Sequence, residues 1–410
     1  MAEAVAPPQP FKLVRPSFGL VLLLGAINAL PPMAIDMYLP SLPAIARSYG
    51  AHPGAAQVTI ATFLAGLAIG QFVYGPVSDR LGRRGPMLFG ASLFLIGTLA
   101  CIFAPTLPML AAARFVQALG GSAGQVVGRA VVRDRFDHRN AARVLSLLML
   151  VWGMAPVVAP LLGSLIIVVA PWQVVFWVQA ALGAVILAGV VFGLKESRSA
   201  ETAAHARSEH PIRAYVALLG NPALVGYVLA FAFNSAAIFA YISAAPGLLE
   251  GHYGVSPVYF GWVFSANSVA LVAMGQVNAR LLHHYTPEQI IRLARPATLV
   301  VAVLMALSAV TGVGGMWGVL VPLFFVIGSF GFFGANTQAA GLNVDPRRAG
   351  SISALMGGAG FIIGSLSSAA VAAAHDTGPV PMALVVLCAI GLSTLSLYAL
   401  AKPSAAAARA

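Results

Sequence analysis

The chain is organised by apolar runs of about 20 residues, the length a helix needs to cross roughly 30 Å of hydrocarbon, separated by short polar gaps. The runs fall at 17–38, 56–78, 86–104, 107–128, 144–169, 172–194, 222–246, 257–279, 290–312, 315–337, 351–373 and 379–401. Only the Pro105/Pro108 break in FAPTLPM separates the third from the fourth. A chain that is 59% hydrophobic and 9% charged has too little polar surface to cover a soluble globule of 410 residues. The reading is an all-α membrane protein with twelve transmembrane helices.

The placement of positive charge tests that count independently, because a missed or invented helix would scramble which gaps carry Lys and Arg. With twelve spans, and with Arg292 and Arg295 at the start of the ninth run counted with the gap before it, the two tails and the gaps after the even-numbered spans hold all of the 23 basic residues except Arg47 and Arg114. Both termini are therefore expected in the cytoplasm, and the Pro-rich start MAEAVAPPQPFKLVRPSFG reads as a retained tail, not a signal peptide. Cys101 and Cys388 sit inside apolar runs without metal-type spacing, so neither a disulfide framework nor a metal site is implied. The pair His283/His284 reads as solvated surface.

The longest polar gap, KESRSAETAAHARSEHPIRA, divides the chain into an N-terminal six-helix half (1–194), a cytoplasmic linker (195–214) and a C-terminal six-helix half (215–410). A weak internal echo supports two pseudo-symmetric halves: YGAHP at 49–53 matches YGVSP at 253–257, and GPVSDRLGRR at 75–84 matches GQVNARLLHH at 275–284.

Three stretches carry more than hydrophobicity. The gap after the second span, GPVSDRLGRRGP, combines Gly75 and Gly82 with Asp79, Arg80, Arg83 and Arg84. The arginines alone fit an ordinary cytoplasmic loop facing anionic headgroups. In the fourth span Arg114 is a charge at membrane depth, which by default marks a functional site facing the protein interior. Helical spacing puts Gln117, Gly121, Gln125 and Gly128 on its stripe, lining a cavity or forming a helix–helix clamp. In the fifth span, WGMAPVVAPLLGS sets Gly153, Pro156, Pro160 and Gly163 within one helix, the composition of a bent, tightly packed helix.

The full pattern G-x-x-x-D-R-x-G-R-R resembles the signature loop of the major facilitator superfamily, whose fold has two six-helix halves and in which this loop latches the cytoplasmic side. The second-half copy has Ala279 where the first has Asp79. R-x-x-Q-x-x-G-G resembles the fourth-helix motif of proton-coupled exporters of that superfamily, which implies a coupling role for Arg114. The fifth-span stretch is similar to the antiporter motif, with Ala159 where glycine is frequent, and implies outward transport. IDMYLPSLPAI, together with VVRDRF, VVFWVQA, SAAPGLLE and DPRRAGSISALMG, is similar to the Bcr/CflA subfamily, whose members export bicyclomycin, chloramphenicol-type and sulfonamide compounds.

Asp36 ends the first apolar run with no basic residue beside it. The first helix runs outward and the fourth inward, so Asp36 and Arg114 lie at similar depth, which permits an ion pair. Desolvation and a nearby cation act in opposite senses on a carboxyl, the balance a proton-coupling group needs. The alternative is an interfacial carboxylate capping the loop at LPSLP. Cavity candidates are Asn28, Tyr38, Gln117, Gln125 and Met149 in the first half and Phe231, Asn234, Phe239, Tyr241, Trp262, Asn267 and Asn336 in the second, whose aromatics can build an adaptable apolar wall.

Together these features imply a drug:proton antiporter of the bacterial inner membrane, working as a monomer by alternating access. It would need no cofactor beyond the proton gradient and no metal or nucleic acid. A metabolite exporter or importer of the same fold is the runner-up, since fold does not fix substrate. An intramembrane enzyme would need a catalytic pair at depth, and Asp36 is the one acid well inside a span.

Overall fold

The computed structural model describes residues 17–52, 54–198, 211–345, 348–374 and 378–401, without the side chains of 138, 139, 142, 146 and 211–214. Among these residues all regular structure is helical. Twelve long helices carry the fold: α1 (Phe18–Asp36), α2 (Val58–Leu81), α3 (Arg84–Ile102), α4 (Leu107–Arg135), α5 (His138–Val169), α6 (Gln173–Gly193), α7 (Pro222–Pro246), α8 (Pro257–Leu281), α9 (Pro287–Thr311), α10 (Gly315–Val344), α11 (Ala349–Ala373) and α12 (Pro379–Ala399).

Helix starts are written locally. Ser17, Thr106, Asp137, Asn221 and Thr286 each accept a hydrogen bond from a first-turn amide, and Thr286 completes a reciprocal box with Gln289. Proline opens α7, α8, α9 and α12, where its missing N–H has no helical partner to lose.

Among the described residues, eleven of the twelve long helices are long and apolar enough to cross a membrane; α4 is the exception. Arg114, Arg129, Arg133, Asp134 and Arg135 dilute its hydropathy. It is nevertheless at the centre of the first six helices, packed against α1, α2, α3 and α5, so that Arg114, Gln117 and Gln125 are buried against protein. Small residues permit the close approach: a Cβ on Gly120 would lie 2.2 Å from the Phe94 amide nitrogen, and one on Gly97 would lie 2.4 Å from that of Gln117.

The first six helices pack mainly on one another, through α2–α4, α3–α4, α3–α6 and α1–α5, and the second six through α7–α11, α7–α12, α9–α10 and α8–α10. The two groups meet where α2 crosses α11 and where α5 crosses α8. Ser365 of α11 donates to the Ala61 carbonyl of α2 (2.8 Å), and Ser265 of α8 donates to the Val157 carbonyl of α5 (2.7 Å).

Of the expected linker, residues 199–210 lie outside the described residues, as do the tails 1–16 and 402–410. Within the 195–214 boundary the backbone is already helical from Pro211, where a short helix, Pro211–Leu219, precedes α7. Residues 195–198 are held against the 75–84 loop, as described below.

Candidate functional site

A cavity of about 190 Å³ lies between the two groups of helices. From the first group it is lined by Pro31, Pro32, Ile35 and Asp36 of α1, Leu67 of α2, Gln125 of α4, and Trp152, Gly153 and Pro156 of α5. From the second it is lined by Phe231, Ser235, Ile238, Phe239, Tyr241 and Ile242 of α7, Phe264, Ser268 and Leu271 of α8, Ile327 and Phe330 of α10, and Gly357, Gly360 and Phe361 of α11. The halves contribute differently: the second supplies six aromatic rings, the first the carboxylate and the Gln125 amide. Tyr241 stacks on Phe264 at 5.1 Å and 15°, and Phe239 tilts against Phe361 at 5.8 Å.

Asp36 is the only acidic residue on this wall. It is 3% exposed and, among the described residues, no hydrogen bond or ion pair joins its carboxyl to another side chain. It ends α1, held by α5: a Cβ on Gly163 would lie 2.1 Å from the Met37 carbonyl oxygen, so only glycine lets the two backbones meet there. Gly153, Pro156, Pro160 and Gly163 thus form one segment that lines the cavity, fixes the end of α1 and packs on α8. On α8, a Cβ on Gly261 would lie 3.2 Å from the Pro160 carbonyl.

Arg114 does not meet Asp36. Its guanidinium is fully buried in a separate polar cluster, 4.4 Å above the Tyr38 ring and 4.1 Å from that of Phe63, with Phe176 at 5.8 Å. Nη1 donates to Gln117 Oε1 (2.6 Å), and Gln117 Nε2 donates in turn to Thr98 Oγ1 (2.8 Å) and Gln179 Oε1 (2.9 Å). Tyr38 and Thr59 hydroxyls share a hydrogen bond of 2.8 Å. Among the described residues, Arg114 Nε and Nη2 have no hydrogen-bond partner. Cation–π contacts contribute about 2 kcal/mol when desolvated, less than the several kcal/mol that burying an unpaired cation costs, so the cluster stores unsatisfied charge. Helical periodicity put Arg114 and Gln125 on one stripe correctly, but the stripe is long enough that its upper part faces α3 and α6 and its lower part the cavity. Gln179, the α6 partner, carried no signal beyond being a polar residue in an apolar helix.

Among the cavity candidates read from sequence, Gln125, Phe231, Phe239 and Tyr241 line the cavity. Tyr38 and Gln117 belong to the Arg114 cluster. Asn28 bridges helices, donating to the Leu148 carbonyl (3.1 Å). Asn267 stands behind the wall, donating to the Tyr241 hydroxyl (2.8 Å). Asn336 pairs with Asn278 (2.6 Å), and Asn234 accepts from Arg295 (3.3 Å). Met149 and Trp262 point away from the core, 57% and 63% exposed. Arg295, counted among the gap cations by the charge pattern, is buried in α9 with its guanidinium 3.6 Å from the Phe333 centroid. Phe264, Phe330, Phe361 and Trp152 complete the aromatic lining of the cavity; Phe361, alone among the small residues of α11, carried no sequence signal.

The 75–84 segment, read from sequence as a gap, is the last turns of α2, a tight turn at Gly82–Arg83 and the start of α3, and is organised by Arg83, only 3% exposed. Its guanidinium donates to Asp134 Oδ2 at the end of α4 (2.7 Å), to Ser78 Oγ (2.9 Å) and to Asp79. Burial disfavours its charge, yet the bonds to Asp134 and Asp79 outweigh that and hold its pKa above the ordinary value. Glu196, just beyond α6, accepts from the amides of Arg83 (2.8 Å) and Arg84 (3.2 Å), capping the start of α3 from outside. Burial alone would raise its carboxyl; the four backbone N–H donors of Arg83, Arg198, Arg84 and Ser197 hold it below the usual range. Arg198 reaches the Asp79 and Arg80 carbonyls, and Arg84 the Val191 carbonyl (2.8 Å). Gly75 joins this network only through its backbone, its carbonyl accepting from Ser78 Oγ (3.0 Å); a Cβ there would meet nothing nearer than Val126, at 3.9 Å. Glu196 is the residue the motif could not reveal, because it lies over a hundred positions away.

Twelve helices in two packed groups around a central cavity define a multi-pass membrane protein, and the family match makes it a transporter, not an enzyme. Residues 24–368 match the model of the Major Facilitator Superfamily, and the chain belongs to that superfamily. The MFS-type transporter YdgK of Bacillus subtilis is 33% identical over 94% of this chain and 96% of its own length. The bicyclomycin resistance protein homolog of Haemophilus influenzae is 29% identical over the same shares. Multidrug resistance protein MdtL of Escherichia coli is 38% identical over 57% of each chain. In fold the chain is similar to a D-xylose-proton symporter, with a TM-score of 0.75 at 13% identity, covering 92% of this chain and 97% of the symporter.

Proposed function

We propose that this protein is a proton-coupled exporter of drug-like small molecules in the bacterial inner membrane, with both termini and the 75–84 loop on the cytoplasmic side, working as a monomer by alternating access. The observation that carries the reading is the central cavity: one carboxylate, Asp36, set among aromatic rings between the two helix groups. A charge on Asp36 is costly at that depth. Substrate in the cavity and a proton on Asp36 therefore compete, and release of one favours the other. The wall is apolar with few hydrogen-bonding groups, which favours flat lipophilic molecules over sugars. The similarity to a bicyclomycin resistance homolog and to a multidrug resistance protein supports the same direction.

The Asp36/Arg114 separation alters the expected mechanism. Arg114 acts as a buried reserve of positive charge near the end of α1, where Tyr38 links its cluster to the Asp36 turn. No cofactor is required: one proton moving inward down about 100 mV yields about 2.3 kcal/mol, enough for roughly a fifty-fold concentration ratio.

The test is uptake of a panel including bicyclomycin and chloramphenicol into everted membrane vesicles, with and without an imposed pH gradient, for wild type and Asp36→Asn. Gradient-driven uptake that disappears in Asp36→Asn while drug binding persists is the expected result. Unchanged uptake in the variant removes Asp36 from coupling. If no compound moves, a metabolite transporter of the same fold takes precedence.

A further inference from the structure

α7 does not end cleanly at Pro246. It continues as a π-turn, Gly247–His252, closed by bonds from the Tyr253 amide to the Leu248 carbonyl (3.0 Å) and from the Val255 amide to the Leu249 carbonyl (2.8 Å). Such widened turns are rare and recur at functional sites. The acidic residue on this turn is Glu250. Its Oε1 is buried and has no hydrogen-bond partner, the one carboxylate oxygen in that condition among the described residues. The turn packs against Leu42–Ser48 of the first group, a short helix after α1, and against α8, so Glu250 sits in the seam between the two groups on the face opposite the 75–84 loop.

The titratable groups on the surrounding elements are Arg47 on Leu42–Ser48, His252 on the turn itself, Tyr241 on α7 and Tyr259 on α8. Arg47 is the one whose charge bears on the Glu250 carboxyl, and it is not close enough to pair with it. Two further buried hydroxyls lack a hydrogen-bond partner among the described residues: Ser41 on the turn Leu39–Ser41, and Ser243 on α7, which falls between Tyr241 and Glu250 along the chain. Leu39–Ser41 packs on α7, and Tyr241, nine residues before Glu250, lines the same cavity as Asp36. Along a helix nine residues span roughly 13 Å. Buried polar groups unmatched by protein are the places where ordered water binds.

We propose that Glu250 is a second proton-binding carboxylate, which takes up protons at the seam opposite the 75–84 loop and passes them, over water held by Ser41 and Ser243, to Asp36. This rests on the reading of Asp36 as the coupling carboxylate. In the first step hydronium protonates the Glu250 carboxylate and leaves water; in the second the neutral acid gives that proton to water, and the Asp36 carboxylate receives one at the far end.

Two measurements test it on the full chain in lipid nanodiscs and everted vesicles. In pH-difference infrared spectra, a protonated carboxylic acid band should vanish in Glu250→Gln, shift in Glu250→Asp and persist in Asp36→Asn. A spectrum of Glu250→Gln identical to wild type overturns the proposal. In vesicles, Glu250→Gln should lose gradient-driven accumulation while keeping drug exchange without a gradient; accumulation at the wild-type level overturns the relay. Loss of exchange as well would make Glu250 a structural latch toward Arg47 and also overturns it. If wild type itself shows no gradient-driven uptake, the coupled-exporter reading falls and the relay with it, while the infrared band still decides whether Glu250 holds a proton.

Discussion

Gly82→Ala isolates the physical basis of the 75–84 loop. Gly82 adopts φ +98° and ψ 171°, a region that residues with a Cβ scarcely enter. Forcing alanine there costs about 1–3 kcal/mol in backbone strain. The added Cβ would also lie 2.5 Å from Glu196 Oε2 and 2.9 Å from its Cδ, so the carboxylate must withdraw. Withdrawal frees the Arg83 and Arg84 amides, and losing a helix cap costs about 0.5–2 kcal/mol. The sum is about 1.5–5 kcal/mol, or at least a tenfold shift away from the ordered loop. Limited proteolysis of the 79–84 segment in detergent, with thermal denaturation in parallel, measures it. Glu196→Gln should show only the smaller, cap-sized part. Gly85→Ala, where a Cβ has nothing within 4 Å, should be silent. Equal protease resistance and thermal stability in Gly82→Ala and wild type would refute the reasoning.

Because the Glu196 carboxyl is held below its ordinary value of 4.5, the stability it contributes is full above that value and fades as pH falls through its folded-state value. Acid should therefore loosen the loop in wild type and have less effect in Glu196→Gln, read by the same proteolysis. Asp36→Asn and Arg114→Lys should be additive in denaturation within about 0.5 kcal/mol, because the side chains do not touch; a coupling energy above about 1 kcal/mol would show a pair. Gly163→Ala should separate α5 from Met37 and destabilise by about 1–3 kcal/mol, whereas Gly153→Ala, whose Cβ would meet Val272 at an ordinary 3.9 Å, should be tolerated; equal melting curves for the two contradict this. Phe361→Ala should raise the KM of an aromatic substrate, and Trp262→Ala, 63% exposed, should not; the reverse order would place the binding wall elsewhere.

Membrane insertion, helix number and the alternation of charge follow from the sequence by itself, because they depend on run length and composition, properties that each segment carries alone. The Asp79/Arg83 pair was equally legible: four residues apart at a helix end, it is a local contact. What the sequence could not settle was which helix each polar face meets. Arg114 and Asp36 share a depth, yet Tyr38, Phe63 and Gln117 take the guanidinium while α5 turns the carboxyl into the cavity. Arg295 follows a loop in sequence and lies buried in α9. Glu196 caps a helix that starts over a hundred residues earlier. Helical periodicity fixes which side chains share a stripe, but the rotation of each helix and the neighbour it faces are decided by packing across the bundle, where a glycine such as Gly163 lets one backbone reach another. Those choices placed one carboxylate in the central cavity and left its expected cation outside, and they exist only in the tertiary structure.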